Sequence, residues 1–153
     1  MLDIGQPAPD FTLPQDGGGD VALSALRGAP VVLYFYPKDD TSGCTKEAIA
    51  FSEQMADFED AGAKVFGLSK DTVQKHEKFR TKHDLTVPLL SDAETDICER
   101  YGVWVEKSMY GKKYMGIERA TFLIDGEGTV RNVWRKVKVP GHSAEVLEAV
   151  KAL

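Results

Sequence analysis

Val31 to Tyr36, VVLYFY, is an unbroken run of apolar and aromatic residues that Pro37 brings to an end. It has the length of a strand but not the alternation of a half-exposed one, which predicts a strand buried on both faces. A strand of that kind requires covering layers on both sides of its sheet. After KDDTSG the pattern changes. Ala48, Phe51, Met55 and Phe58 recur at steps of three and four, one stripe of an amphipathic helix. Cys44 falls at or near the first turn of that helix, with no second cysteine close by in sequence.

The flanking segments extend the pattern. FTLPQDGGGDVALSAL has two short apolar stretches around Gly17 to Gly19 and predicts a small hairpin covering one sheet edge. GAKVFGLS places a helix stop at Gly62 and a second buried strand around Val65 to Leu68. KDTVQKHEKFRTKHD predicts a helix capped by Asp71 with Gln74 three residues on, and VPLL a short strand. SDAETDICERYG predicts a short helix with Ser91 and Glu94 at capping-box spacing and Gly102 as its stop. VEKSMYGKKYMG has no clear period and reads as a surface loop. RATFLIDGEGTVRNVW reads as two strands joined through Asp125 to Gly128, and SAEVLEAVKAL as a helix with Val146, Leu147, Val150 and Leu153 on one face. The succession predicts an α/β fold with a mixed central sheet flanked by helices.

A chain of 153 residues with 42% hydrophobic content can build one core, so residues 1–153 are expected to form a single domain. A net charge of −5 argues against nucleic acid or an anionic membrane as the main partner. Two cysteines make no disulfide framework and no C-x-x-C pair, which favours a reducing, cytoplasmic setting. The N-terminus lacks the basic start and apolar core of a signal peptide, and no apolar run reaches membrane-spanning length. Two distant cysteines and three scattered histidines show no metal-ligand spacing, and no cofactor motif is present.

A thiol at a helix mouth faces backbone N–H groups without intrahelical partners and the positive end of the macrodipole. It ionises more readily there, and the thiolate is the reactive form. The competing reading is a small buried side chain that only packs. Around Cys44, Pro37 is rigid, Thr41 offers a hydroxyl three residues before the thiol, and Gly43 permits close approach to the backbone, as a site for a small polar molecule requires.

Pro37, Thr41 and Cys44 match P-x-x-x-T-x-x-C, and here the sequence resembles the peroxiredoxins. FYPKDDTSGCTKEA, GLSKDTVQKHEKF, LLSDAETDICERYGVW and RATFLIDGEG are most similar to the bacterioferritin comigratory protein or Q-type subfamily and span nearly the whole chain. The resemblance implies a thioredoxin-like fold and a thiol-dependent peroxidase acting on hydrogen peroxide or organic hydroperoxides. Cys44 would be the peroxidatic nucleophile and pass through a sulfenic acid. Arg119, at the start of RATFLID, would hold it ionised; Thr41 and the amides around Gly43 would position the peroxide; Pro37 would shield the thiolate. Glu47, one turn after Cys44, would orient the network or serve only the helix dipole.

The chain departs from the subfamily in its second thiol. Many members carry a resolving cysteine five residues after the first, here Ile49; others place it in the next helix, which here has none. Cys98 is the remaining candidate for resolution, against a plainer reading as a buried apolar side chain. A one-cysteine cycle follows, resolved by an external thiol such as thioredoxin or glutaredoxin with glutathione. The resemblance and the lack of an evident exposed apolar stripe imply a monomer, with a dimer as the alternative. The competing function is a thioredoxin-fold redox sensor or binding module without turnover. A phosphatase loop fails because Ala50 stands where arginine is needed, and nothing local pairs His76, His83 or His142 with Cys44.

Overall fold

The structure, a computed structural model, describes residues 2–153. The elements run β1 (Thr12–Pro14), β2 (Asp20–Ala22), a 3-10 turn (Leu23–Leu26), β3 (Val31–Phe35), α1 (Ser42–Glu53), α2 (Met55–Asp60) and β4 (Lys64–Ser69). Then follow α3 (Val73–His83), β5 (Leu89–Ser91), α4 (Ile97–Arg100), β6 (Trp104–Met109), β7 (Lys112–Ile117), β8 (Ala120–Ile124), β9 (Val130–Trp134) and α5 (His142–Lys151). The central sheet has the order β5-β4-β3-β8-β9, with β3 parallel to β4 and antiparallel to β8.

β3 is buried along its whole length, and its alternation sorts the core into two layers. Val31, Leu33 and Phe35 face one cluster with Phe11, Leu13, Leu23, Cys98 and Tyr101. Val32, Tyr34 and Tyr36 face the other, with Cys44, Ala48 and Phe51 of α1, Phe58 of α2, Phe79 of α3 and Val146 of α5. The predicted mixed sheet covered on both faces is the observed architecture, with α1, α2, α3 and α5 together on the Cys44 side.

The N-terminal hairpin forms as β1 and β2 and covers β5, where Asp16 N donates to Leu89 O at 3.0 Å and Asp16 Oδ1 accepts from Leu89 N at 2.9 Å. The helix stripe breaks at Gln54, where α1 gives way to α2 and Met55 is only half-buried. Leu153 stands out of the α5 face, exposed.

Four expectations are corrected. VEKSMYGKKYMG is not a loop but the antiparallel hairpin β6–β7, turned at Tyr110-Gly111, both at positive φ. Met109, Tyr110, Tyr114 and Met115 stand exposed on it, so large apolar side chains do lie outside the core. Thr72, not Asp71, caps α3, accepting from Lys75 N at 3.2 Å. Ser91 belongs to β5 and caps nothing at α4; instead Asp92 accepts from Ile97 N at 3.1 Å and Cys98 N at 2.8 Å. At α3 the residue one position later is the cap because an N-cap side chain accepts from an N–H two or three residues on, here Lys75 N; at α4 the N-cap Asp96 makes no such bond, and Asp92 satisfies the first amides from five and six residues before them.

Candidate active site

The register of β3 and β8 builds the site. Phe35 pairs with Ala120, so the start of β8 lies beside the end of β3, the same end from which the chain enters α1. Arg119, immediately before β8, is thereby carried next to Cys44, 75 residues away in sequence, and Nη2 donates to Sγ at 3.3 Å. Val137 N fixes the backbone of Arg119 by donating to its carbonyl at 3.0 Å.

Cys44 is the third residue of α1 and only 1% exposed. The helix is entered through Thr41, whose carbonyl accepts from Thr45 N at 2.8 Å and Thr45 Oγ1 at 2.7 Å. Thr41 Oγ1 donates to Lys38 O at 2.8 Å and does not cap the helix. Its hydrogen is thus committed and its lone pairs face outward to accept. Pro37 lies between Tyr36 and this turn, where its fixed φ suits a chain leaving a strand.

Gly43 has a neighbour that the sequence does not name. A Cβ there would meet Arg119 Nη2 at 3.0 Å, so the missing side chain makes room for the guanidinium.

Glu47 lies one turn after Cys44, buried, with Oε1 accepting from Arg119 Nη1 at 2.7 Å. Its Oε2 has no hydrogen-bond partner. Burial pushes its pKa up to about 7 against the opposing pull of Arg119. For Arg119 burial works against the charge, but Glu47 and Cys44 outweigh it and hold the guanidinium protonated. One arginine thus donates to a sulfur and a carboxyl group at once, which its planar fork permits.

Other side chains in this neighbourhood are not singled out by sequence. Tyr34 stacks on Phe51 at 4.5 Å, and its hydroxyl has no partner; burial first, then Glu47 and Cys44, keep it protonated. Gly67 on β4 accommodates that ring, since a Cβ there would lie 2.6 Å from it. His142 is buried beside Thr121 Oγ1 at 2.8 Å, its pKa pushed down to about 4 by burial despite Glu145, with Arg119 adding to the depression. Lys107 on β6 brings a second cation near; burial and the Arg119 charge lower its pKa while Cys44 and Glu118 pull the other way. Tyr34 comes from β3, Lys107 from the separate β6–β7 hairpin and His142 from α5, a convergence of distant segments that no local motif carries.

Cys98 stands apart. It belongs to the core cluster on the opposite face of the sheet, and burial followed by the charge of Asp92 pushes its thiol pKa far up.

The chain matches the AhpC/TSA family over residues 4–133. It is 49% identical over 150 residues to the peroxiredoxin Bcp of Bacillus subtilis, covering 98% of this chain and 96% of the relative. Among solved structures, peroxiredoxin Q of Xanthomonas campestris superposes with a TM-score of 0.90 at 45% identity, covering 99% of this chain and 96% of the neighbour. The X. campestris bacterioferritin comigratory protein, solved as a trapped intermediate/ligand complex and described for its alkyl peroxide reduction activity, gives 0.90 at 44% identity, covering 99% of this chain and 97% of the neighbour.

Proposed function

The chain belongs to the AhpC/TSA family, within it to the bacterioferritin comigratory protein or Q-type peroxiredoxins, and on that footing we propose that its thiol peroxidase activity runs through Cys44 in a one-cysteine cycle. The observation that carries this reading is the 3.3 Å approach of Arg119 to a sulfur in the first turn of α1. Unpaired amides and a guanidinium both favour negative charge on sulfur.

The Cys44 thiolate attacks the terminal oxygen of the hydroperoxide. The S–O bond forms as the O–O bond breaks, sulfur is oxidised by two electrons, and the alkoxide or hydroxide leaves and takes up a proton. Arg119 stabilises the charge that grows on the leaving oxygen. Thr41, its own hydrogen given to Lys38 O, accepts from the hydroperoxide O–H, and the amides at Gly43 and Cys44 complete the cradle. Pro37 limits water, and Glu47 holds Arg119 in line.

The sulfenic acid is then attacked by an external thiol, releasing water and leaving a mixed disulfide, which a second thiol cleaves to restore Cys44. Thioredoxin or glutaredoxin with glutathione are the donors we assign. Both cysteines are free thiols, which suits the cytoplasm, and no helix is long and apolar enough to cross a membrane. The chain acts as one domain, since both core clusters share the one five-stranded sheet; the monomer is carried over from the family resemblance alone.

A steady-state assay with hydrogen peroxide or an alkyl hydroperoxide and each donor tests the reading. Turnover abolished by Cys44→Ser and retained by Cys98→Ser is expected. Oxidation that stops after one equivalent would instead make the protein a sensor.

A further inference from the structure

The loop between β3 and α1 is tied to α3 by a set of contacts that the peroxidase chemistry does not itself use. His76, on α3, is 0% exposed. Its Nδ1 lies 2.7 Å from Asp39 Oδ2 and its Nε2 2.8 Å from the carbonyl oxygen of Leu90 on β5. Both partners are acceptors, so the ring supplies a hydrogen at each nitrogen and is an imidazolium facing a carboxylate. Tyr36, the residue just past β3, donates to the other oxygen of Asp39 at 2.6 Å. Asp39 N donates to Asp71 Oδ2 at 2.8 Å, and Asp71 is itself oriented by Ser69 Oγ at 2.7 Å. Asp40, in the left-handed region at φ 61, accepts from Lys82 at 2.7 Å and His83 at 2.8 Å.

Every residue between the strand and Thr41 except Pro37 and Lys38 is therefore anchored by its side chain, mostly to α3. A buried charge is retained where a partner answers it, and removing one member leaves the other stranded. Asp39, Asp71 and His76 also lie close enough together to hold a cation, but each of their facing atoms already has a hydrogen-bond partner. No cysteine lies on α3, so no step of a one-cysteine cycle requires that helix to open.

We propose that His76 and Asp39 are positioning residues for the peroxidase reaction: their buried pair clamps the loop that presents Thr41 and the first turn of α1, and so sets the attack geometry at Cys44. The inference rests on the Cys44 reading above. Misplacement by about 1 Å costs about 10²-fold in such reactions, so a loosened clamp has a measurable price.

Titration gives the clamp a direction. Around His76 stand Asp39 from the loop, Tyr36 from the end of β3, Asp71 from the β4–α3 connection and Leu90 O from β5. Burial works to discharge the ring, but the hydrogen bond and charge of Asp39, helped by Leu90 O and Asp71, raise its pKa. The clamp is complete below that pKa and loses a hydrogen as pH rises through it, when one ring nitrogen must face an acceptor bare.

The test compares two rates on the same protein: oxidation of Cys44 by peroxide, which needs a positioned site, and alkylation by iodoacetamide, which needs only the thiolate. Their ratio cancels ionisation of Cys44. In His76→Gln the ratio should fall at least about tenfold; a ratio within twofold of wild type overturns the proposal. Should that variant not fold, wild type decides: the ratio should fall about tenfold as His76 loses its proton, followed by NMR of the ring, and should still do so in Glu47→Gln, which removes the buried carboxyl group with a pKa of about 7, and in His83→Gln, which removes the loop's other histidine contact. A ratio flat in pH overturns the proposal. Failure of the underlying reading shows separately, as equal peroxide consumption by wild type and Cys44→Ser, and overturns both.

Discussion

Cys44 of α1 and Cys98 of α4 pack on opposite faces of the five-stranded sheet. A disulfide needs Cα atoms within about 7 Å, and a sheet with side chains on both faces separates its two layers by more than that. The thiol of Cys98 is also kept protonated by burial and Asp92. Cys98→Ser is expected to leave turnover within about twofold, and intact mass after peroxide should show oxidised Cys44 or its donor adduct. A loss of two hydrogens linking the two cysteines would contradict the separation.

Arg119 meets Cys44 and Glu47 with two different nitrogens. A lysine there would keep a charge but lose the fork. Arg119→Lys should slow oxidation of Cys44 by about 10-fold and Arg119→Met by about 10² to 10³, the scale of losing a preorganised donor to a developing oxyanion. Stopped-flow oxidation at one peroxide concentration series separates them.

Gly43 is the more selective probe, because its backbone is not in the left-handed region and alanine adds only a methyl 3.0 Å from Arg119 Nη2. Gly43→Ala should retain the melting temperature within a few degrees while reducing the second-order rate with peroxide by about tenfold. A variant that reacts at the wild-type rate would show that the guanidinium shifts freely.

Glu47 and His142 oppose each other in pH. Glu47 has its pKa raised to about 7, so the folded state holds a proton that the unfolded chain gives up, and stability from this group is lost as pH rises from about 4.5 to 7. His142 has its pKa lowered to about 4, so the unfolded chain takes up a proton that the folded state refuses, and stability is lost as pH falls from about 6.5 to 4. Each contributes on the order of 1–3 kcal/mol, with opposite slopes. Denaturant unfolding should find wild type nearly flat between pH 5 and 6.5, below the range in which His76 contributes, with Glu47→Gln gaining stability with pH and His142→Gln losing it. Parallel profiles for all three would refute the assignment.

The sheet core, the helices on either side and the placing of Cys44 were legible because burial on two faces leaves long apolar signals in β3, α1 and β8. The β6–β7 hairpin was not: its strands are largely exposed, so Glu106, Lys107, Lys112 and Lys113 obey no alternation, and its turn is Tyr110-Gly111 in place of Asn-Gly. The Arg119 contact was reachable only through family resemblance, since it depends on the Phe35–Ala120 register. His76 gave no signal at all. Its partners come from the loop after β3 and from β5, and a buried histidine looks in sequence like any polar residue on a helix.

The short β1–β2 ribbon matters beyond its size. By occupying both the amide and the carbonyl of Leu89, Asp16 takes the bonding positions through which a neighbouring, partly unfolded copy would add itself to the sheet. Of the two outer strands of the sheet, β5 is thereby hindered from templating a growing aggregate.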